Sequence, residues 1–254
     1  MSTHGFNGSY LMPLFDLVVQ SREDGYYRPL PRPEASSSLA TDDAPLGEWP
    51  ASGLICTSYS AGLAHVDALR RLTEAGQIDA TSPWTLLRGA LENFATGIWL
   101  LDAPGRTERR RRTLSLWAED MRNRAQHEHD TGHTPDPGGA SGTERRQEIR
   151  DLAVALNLPA LTAPRTSLIL EQAAPAAALD PVAVRASWRA ASGFAHGRHW
   201  TLVRISQPRG AAKTDNGHLL ALVLDENEHR KLTEHCHTML RHFNARYFAR
   251  ASAR

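Results

Sequence analysis

From Ser52 onward, apolar side chains recur at steps of three and four: Leu54, Tyr59, Leu63, Val66, Leu69 and Leu72 run up to Gly76. That spacing predicts a long amphipathic helix with a glycine stop. Ser82-Pro83 then supplies a cap and a first-turn proline, and Trp84, Leu87, Leu91, Phe94, Ile98 and Leu101 draw an apolar stripe on a second helix ending near Asp102. A third helix is expected from Thr107 to about His129, carrying Leu114, Leu116, Trp117 and Met121. Residues 131–142 hold Pro135, Pro137, Gly138 and Gly139 and read as a loop. Shorter helices are expected over about 143–156 and 165–174. Asp180-Pro181 opens a further one through Val184, Trp188 and Ala191 to His196, ahead of Gly197.

After this helix the period changes. Residues 200–205 and 218–224 are β-favouring runs with Pro208-Arg209-Gly210 and Asp215-Asn216-Gly217 between them, which predicts a small hairpin over about 200–224. The helical pattern returns from Asp225 to Arg250 with Leu232, Met239, Leu240, Phe243 and Phe248. Before Ser52, Pro29, Pro31, Pro33, Pro45 and Pro50 surround Ser36-Ser37-Ser38. Residues 1–50 are therefore expected to form an extended or poorly ordered N-terminal arm, within which Met12, Leu14, Phe15, Leu17 and Val18 offer a short segment that can dock. The fold class that follows is mainly α: a helical bundle over 51–254 with a small β-hairpin insertion before the C-terminal helix.

Composition narrows the function classes. The chain has 254 residues, 41% of them hydrophobic, enough for a substantial core. Its 29 basic residues nearly balance 28 acidic ones, so no global field marks a nonspecific nucleic-acid binder, and any RNA contact must be local. Cys56 and Cys236 lie far apart on expected helices, which supports neither a disulfide framework nor a zinc ribbon. With no secretion signal read in residues 1–20, a cytoplasmic location is expected. No apolar run approaches the roughly 20 residues of a membrane span, so no membrane association is expected.

The chemistry concentrates in the stretch 188–197. At about 100° per residue, a helix puts Arg189, Ser192 and His196 on one strip. That strip carries a permanent cation, a hydroxyl and an imidazole of the type that titrates near neutral pH, a set able to bind an anion and move a proton. Arg88 and Glu92, four apart, interrupt the apolar second helix, and His65 sits among the apolar residues of the first. Buried charges need partners, so Arg88, Glu92, Arg189, Ser192 and His196 are expected to meet in one polar pocket at the centre of the bundle, with His65 at its lining. Two readings of such a pocket stand: a functional site, which requires His196 to reach solvent or a cleft, and an ion-paired group that fixes helix register, which does not.

Arg189 and His196, six residues apart late in a helical chain, resemble the Arg-(four to six residues)-His signature of the HEPN superfamily. Arg88 and Glu92 on the second helix, with Arg189, Ser192, His196 and Gly197 later, extend the resemblance to HEPN-like bacterial helical proteins over residues 52–250. The resemblance implies a HEPN-like domain and a metal-independent endoribonuclease of a defence or toxin–antitoxin system, with no cofactor. In it Arg189 binds the scissile phosphate, His196 acts as general base or acid, the RNA's 2′-hydroxyl is the nucleophile, and Ser192, Arg88, Glu92 and His65 support the site. It also implies a homodimer, with RNA and an antitoxin or other protein as partners. Other HEPN-like proteins are noncatalytic binding or dimerisation modules. Ala190 departs from the polar residue that active members often carry after the arginine.

The remaining motifs are weaker. His127, His129 and His133 flank a loop, and His235-Cys236-His237 do not share a helix face, so neither group makes a convincing metal site. The run from Arg106 to Arg112 reads as a solvated helix face, with RNA phosphate contact as the alternative. The glycines at 138, 139 and 142 lack the lysine of a phosphate loop, and Ser192-Gly193 lacks the strand–turn–helix setting of a hydrolase nucleophile.

Overall fold

A computed structural model of the chain describes residues 7–23, 26–133, 139–215 and 217–253. The described part of the N-terminal segment is packed, not extended away from the bundle. A 3-10 turn (Gly8–Leu11) leads into α1 (Met12–Gln20), followed by the paired strands β1 (Arg22–Glu23) and β2 (Tyr26–Tyr27), then α2 (Ser38–Asp43) and a second 3-10 turn (Ala44–Leu46). Leu11, Leu14, Phe15, Val18, Leu30 and Leu39 are buried in the main core. For the described residues up to 50 this corrects the expectation of an extended or poorly ordered arm over residues 1–50. The stretch around Pro29, Pro31 and Pro33 forms no helix but still docks: Tyr247 donates its hydroxyl hydrogen bond to the Pro31 carbonyl at 2.5 Å, and the Glu34 amide donates to the Ala251 carbonyl at 2.8 Å. The proline-rich stretch thus borrows partners from the C-terminal helix.

The long helices fall close to where their periodicity places them. They are α3 (Ala51–Glu74), α4 (Ser82–Leu101), α5 (Gly105–Thr131), α6 (Gly142–Ala155), α7 (Thr166–Ala176) and α8 (Pro181–Ala195). Of the expected 131–142 loop, Pro135, Pro137 and Gly138 lie outside the described residues, and Gly132, with φ of 64°, ends α5. Ser141 and Glu144 form a capping box that starts α6.

Helix α4 is apolar around most of its circumference, and such a helix is stable only when surrounded. It packs against α3, α7, α8 and α10 (Glu226–Ala251). A Cβ at Gly97 would overlap the Phe243 ring, so that glycine permits the close approach of α4 and α10. A second, smaller core joins α5 and α6 through Leu114, Met121, Ile149 and Ala153, with Leu46 from the N-terminal segment.

Residues 200–205 are helical, which corrects the expected first strand. They form α9 (His199–Ile205), folded back against α8. Tertiary contact overrides the β preference of Trp200, Val203 and Ile205: buried Thr201 fits against Gly193, where any Cβ would overlap its methyl group. The hairpin is shorter than expected and starts later, pairing β3 (Gln207–Thr214) with β4 (Gly217–Val223). Thr214 pairs with Gly217, and Asn216 lies outside the described residues. Pro208 and Gly210 mark a register shift inside β3 instead of a turn, as their missing amide and missing side chain allow.

The arginine run at the start of α5 is neither a plain solvated face nor a free phosphate contact. Arg106 and Arg109 donate to the buried carboxylate of Asp42, Arg110 donates to the carbonyls of Thr41 and Asp42, and Arg111 and Arg112 bind Glu108. The run pins α2 to α5.

Candidate functional site

Helix α8 is built to present a polar strip. Asp180 caps its first turn, accepting from the amides of Val182 at 3.0 Å and Ala183 at 3.3 Å. Val184, Ala190, Ala191 and Phe194 face the core, which turns Arg189, Ser192 and His196 outward. His196 is the C-cap residue, and Gly197 follows with φ of 60°. The Arg198 amide donates to the Gly193 carbonyl at 2.8 Å and the Gly197 amide to the Phe194 carbonyl at 3.1 Å, the paired bonds of a Schellman stop. This reversal brings Arg198 and the start of α9 back beside the last turn of α8.

The result is a shallow cleft of about 250 Å3 lined by Trp188, Arg189, Ser192, Gly193, His196, Arg198 and Trp200. Arg189, His196, Arg198 and Trp200 are exposed. None of the lining residues is acidic, and among the described residues neither Arg189 nor Arg198 makes an ion pair. Two free guanidiniums, an imidazole, a hydroxyl and two indoles make an anion site with aromatic walls.

The single central pocket expected for Arg88, Glu92, His65, Arg189, Ser192 and His196 is not formed. Arg189, Ser192 and His196 share the surface cleft, while Arg88, Glu92 and His65 lie together where α3 meets α4. Arg88 Nε donates to Glu92 Oε1 at 2.8 Å. His65 occupies the space left by the absent side chain of Gly89, where a Cβ would fall 2.5 Å from its Nε2. Burial pulls the pKa of His65 down, with the Glu92 carboxylate opposing the shift. Trp188 connects the two groups: it walls the cleft and donates its Nε1 hydrogen to Glu92 Oε1 at 2.6 Å. The physical reason for the separation is solvation. Half-buried Arg88 is neutralised by a neighbour on its own helix, so it gains nothing by meeting the exposed cations of α8.

Arg198 and Trp200 were not among the residues singled out from the sequence. The available signal was the glycine stop itself, since residues just past a Schellman reversal return beside the final helical turn. A larger groove, about 760 Å3, runs between the end of α3, the start of α4 and Phe194-Ala195. Its one charged lining residue, Arg71, is paired with Asp67 at 2.8 Å, so the free cations lie in the smaller cleft. Among the described residues no group of three or more His, Cys, Asp or Glu side chains is placed to hold a metal ion. This includes His127, His129 and His133, all exposed, and His235-Cys236-His237. No helix of the described residues is long and apolar enough to cross a membrane.

Comparison with known proteins finds no matching family model, curated protein or solved structure.

Proposed function

We propose that the α8 cleft binds the phosphodiester backbone of RNA and cleaves it without a metal, as a HEPN-like endoribonuclease of a defence or toxin–antitoxin type. The observation that carries this reading is the acid-free cleft in which unpaired Arg189 and exposed His196 stand on one strip. Arg189 holds the non-bridging oxygens of the scissile phosphate. His196 takes the proton from the 2′-hydroxyl as its oxygen bonds to phosphorus. The bond from phosphorus to the 5′-oxygen breaks, the imidazole returns the proton to that oxygen, and the products are a 2′,3′-cyclic phosphate and a 5′-hydroxyl. Arg189 and Arg198 stabilise the added charge of the phosphorane, and Ser192 adds a hydrogen bond.

In excess chelator, purified wild type is expected to cleave RNA to these ends, and Arg189→Ala and His196→Ala each to abolish the cleavage. Identical residual cleavage by all three proteins contradicts the reading. Growth inhibition on expression, relieved by His196→Ala, is the expected cellular counterpart of a toxin. A homodimer belongs to the same proposal: Val182 and Val203 leave apolar surface exposed on α8 and α9, and the mass of the protein in solution tests it.

One observation favours a second reading, a noncatalytic HEPN-like module that binds RNA or a protein such as an antitoxin. Ala190, next to Arg189, is buried in the core and contributes no polar group to the cleft. Binding that survives in His196→Ala, with no cleavage by wild type, selects this reading.

A further inference from the structure

Of the six tryptophans, Trp84 and Trp99 are almost wholly buried, whereas Trp200 is 49% exposed on the rim of the cleft. An indole left half in water forgoes a large part of its burial free energy, which a ring stacked on it recovers. Its mount is rigid. Thr201, the next residue, is fully buried against Gly193, and both its amide and its hydroxyl donate to the Arg198 carbonyl, at 3.1 and 2.7 Å. The first turn of α9 is thereby locked to the last turn of α8, and the backbone that carries Trp200 is held beside the cleft that Arg189, Arg198 and His196 line.

We propose that Trp200 is the platform on which an unpaired base of the RNA stacks while Arg189 and Arg198 hold the adjoining phosphates, so that the cleft selects single-stranded over duplex RNA. The proposal rests on the RNA reading above and names the substrate form it takes. An aromatic platform beside free cations is the chemistry that tracks a single strand, because every base offers a π-face and every linkage a charge. A duplex offers no free base faces along its length, since its bases already stack on each other. Trp188, hydrogen-bonded to Glu92, is a second indole in the lining of the same cleft.

The test is fluorescence anisotropy with a labelled 2′-O-methyl oligonucleotide, which binds but cannot react because its nucleophile is blocked. The same strand in a duplex and a free nucleoside monophosphate serve as comparisons. Wild type is expected to bind the single strand about tenfold more tightly than the duplex, Trp200→Ala to lose that advantage, and Trp200→Phe to keep most of it. The mononucleotide is expected to bind far more weakly than the strand. Equal binding of single strand by wild type and Trp200→Ala, or duplex binding as tight as single-strand binding, overturns the proposal. Parallel cleavage of unmodified RNA separates the two ideas: Trp200-dependent binding without cleavage supports the platform and removes only the catalytic step. Cleavage that is indifferent to Trp200→Ala and to strandedness keeps the nuclease and removes the platform.

Discussion

Glu92 on α4 and Trp188 on α8 are joined by a hydrogen bond of 2.6 Å from the indole Nε1 to Oε1, the same oxygen that accepts from Arg88 Nε at 2.8 Å. One carboxylate therefore neutralises a cation on its own helix and fixes a wall of the cleft on another. Glu92→Ala removes the shared acceptor of both bonds and is expected to lower stability by about 2 kcal/mol, while Glu92→Gln, which retains an oxygen for the indole, is expected to cost under about 1 kcal/mol. Urea unfolding of the two variants checks the order; equal losses would mean that the indole bond contributes nothing.

Asp42 on α2 anchors that helix to α5. It is 1% exposed and accepts from Arg106 and Arg109, with Arg250 Nη1 at 3.9 Å. Asp42→Ala leaves these cations without their carboxylate and is expected to cost on the order of 3 kcal/mol, seen as a lower urea midpoint. A loss within experimental error would show that solvent already screens the cluster.

The α8–α9 contact depends on a missing side chain. Gly193→Ala is expected to push Thr201 away and cost about 1–3 kcal/mol by overpacking, and to weaken RNA binding by displacing Trp200. Thermal melts and the anisotropy assay read the two effects; unchanged melting would contradict the tight contact.

His229 is fully buried, with its Nδ1 2.8 Å from the Tyr10 hydroxyl, and burial drives its pKa from 6.5 to about 4. Between these values the unfolded chain binds a proton that the folded chain refuses. Stability is therefore full above pH 6.5 and is expected to fall by about 3 kcal/mol as pH drops towards 4. Half-buried His65 and His235, also pulled down by burial, act in the same direction. Urea midpoints across pH 4.5–7 should show a shallower dependence in His229→Asn than in wild type; parallel curves would refute the assignment.

The legibility of the fold follows from how local each signal is. Helices α3 to α8 were readable because apolar spacing, Pro181 behind Asp180 and the Gly197 stop are all written within a turn or two of where they act. The N-terminal segment was not, because the bonds that hold Pro31 and Glu34 come from residues more than 200 positions away. Residues 200–205 misled for a related reason: their β-favouring side chains are held in a helix by the Gly193–Thr201 contact. Likewise the run from Arg106 to Arg112 could not reveal that its counter-charge, Asp42, sits on another element. Of the candidate site, the strip on α8 followed from helical geometry alone. The separation of Arg88, Glu92 and His65 from it depends on how α4 packs against α3 and α8 and which cations stay in solvent, which spacing along one helix does not encode.

The central claim is that a strand phosphate seats between Arg189 and His196, and the most direct measurement is the histidine imidazole NMR spectrum during titration with a 2′-O-methyl oligonucleotide. The His196 resonance, assigned by its loss in His196→Gln, is expected to shift on binding while those of His65 and buried His229 stay in place, and Arg189→Ala is expected to suppress the shift. A strand that binds while His196 remains unmoved would contradict the account.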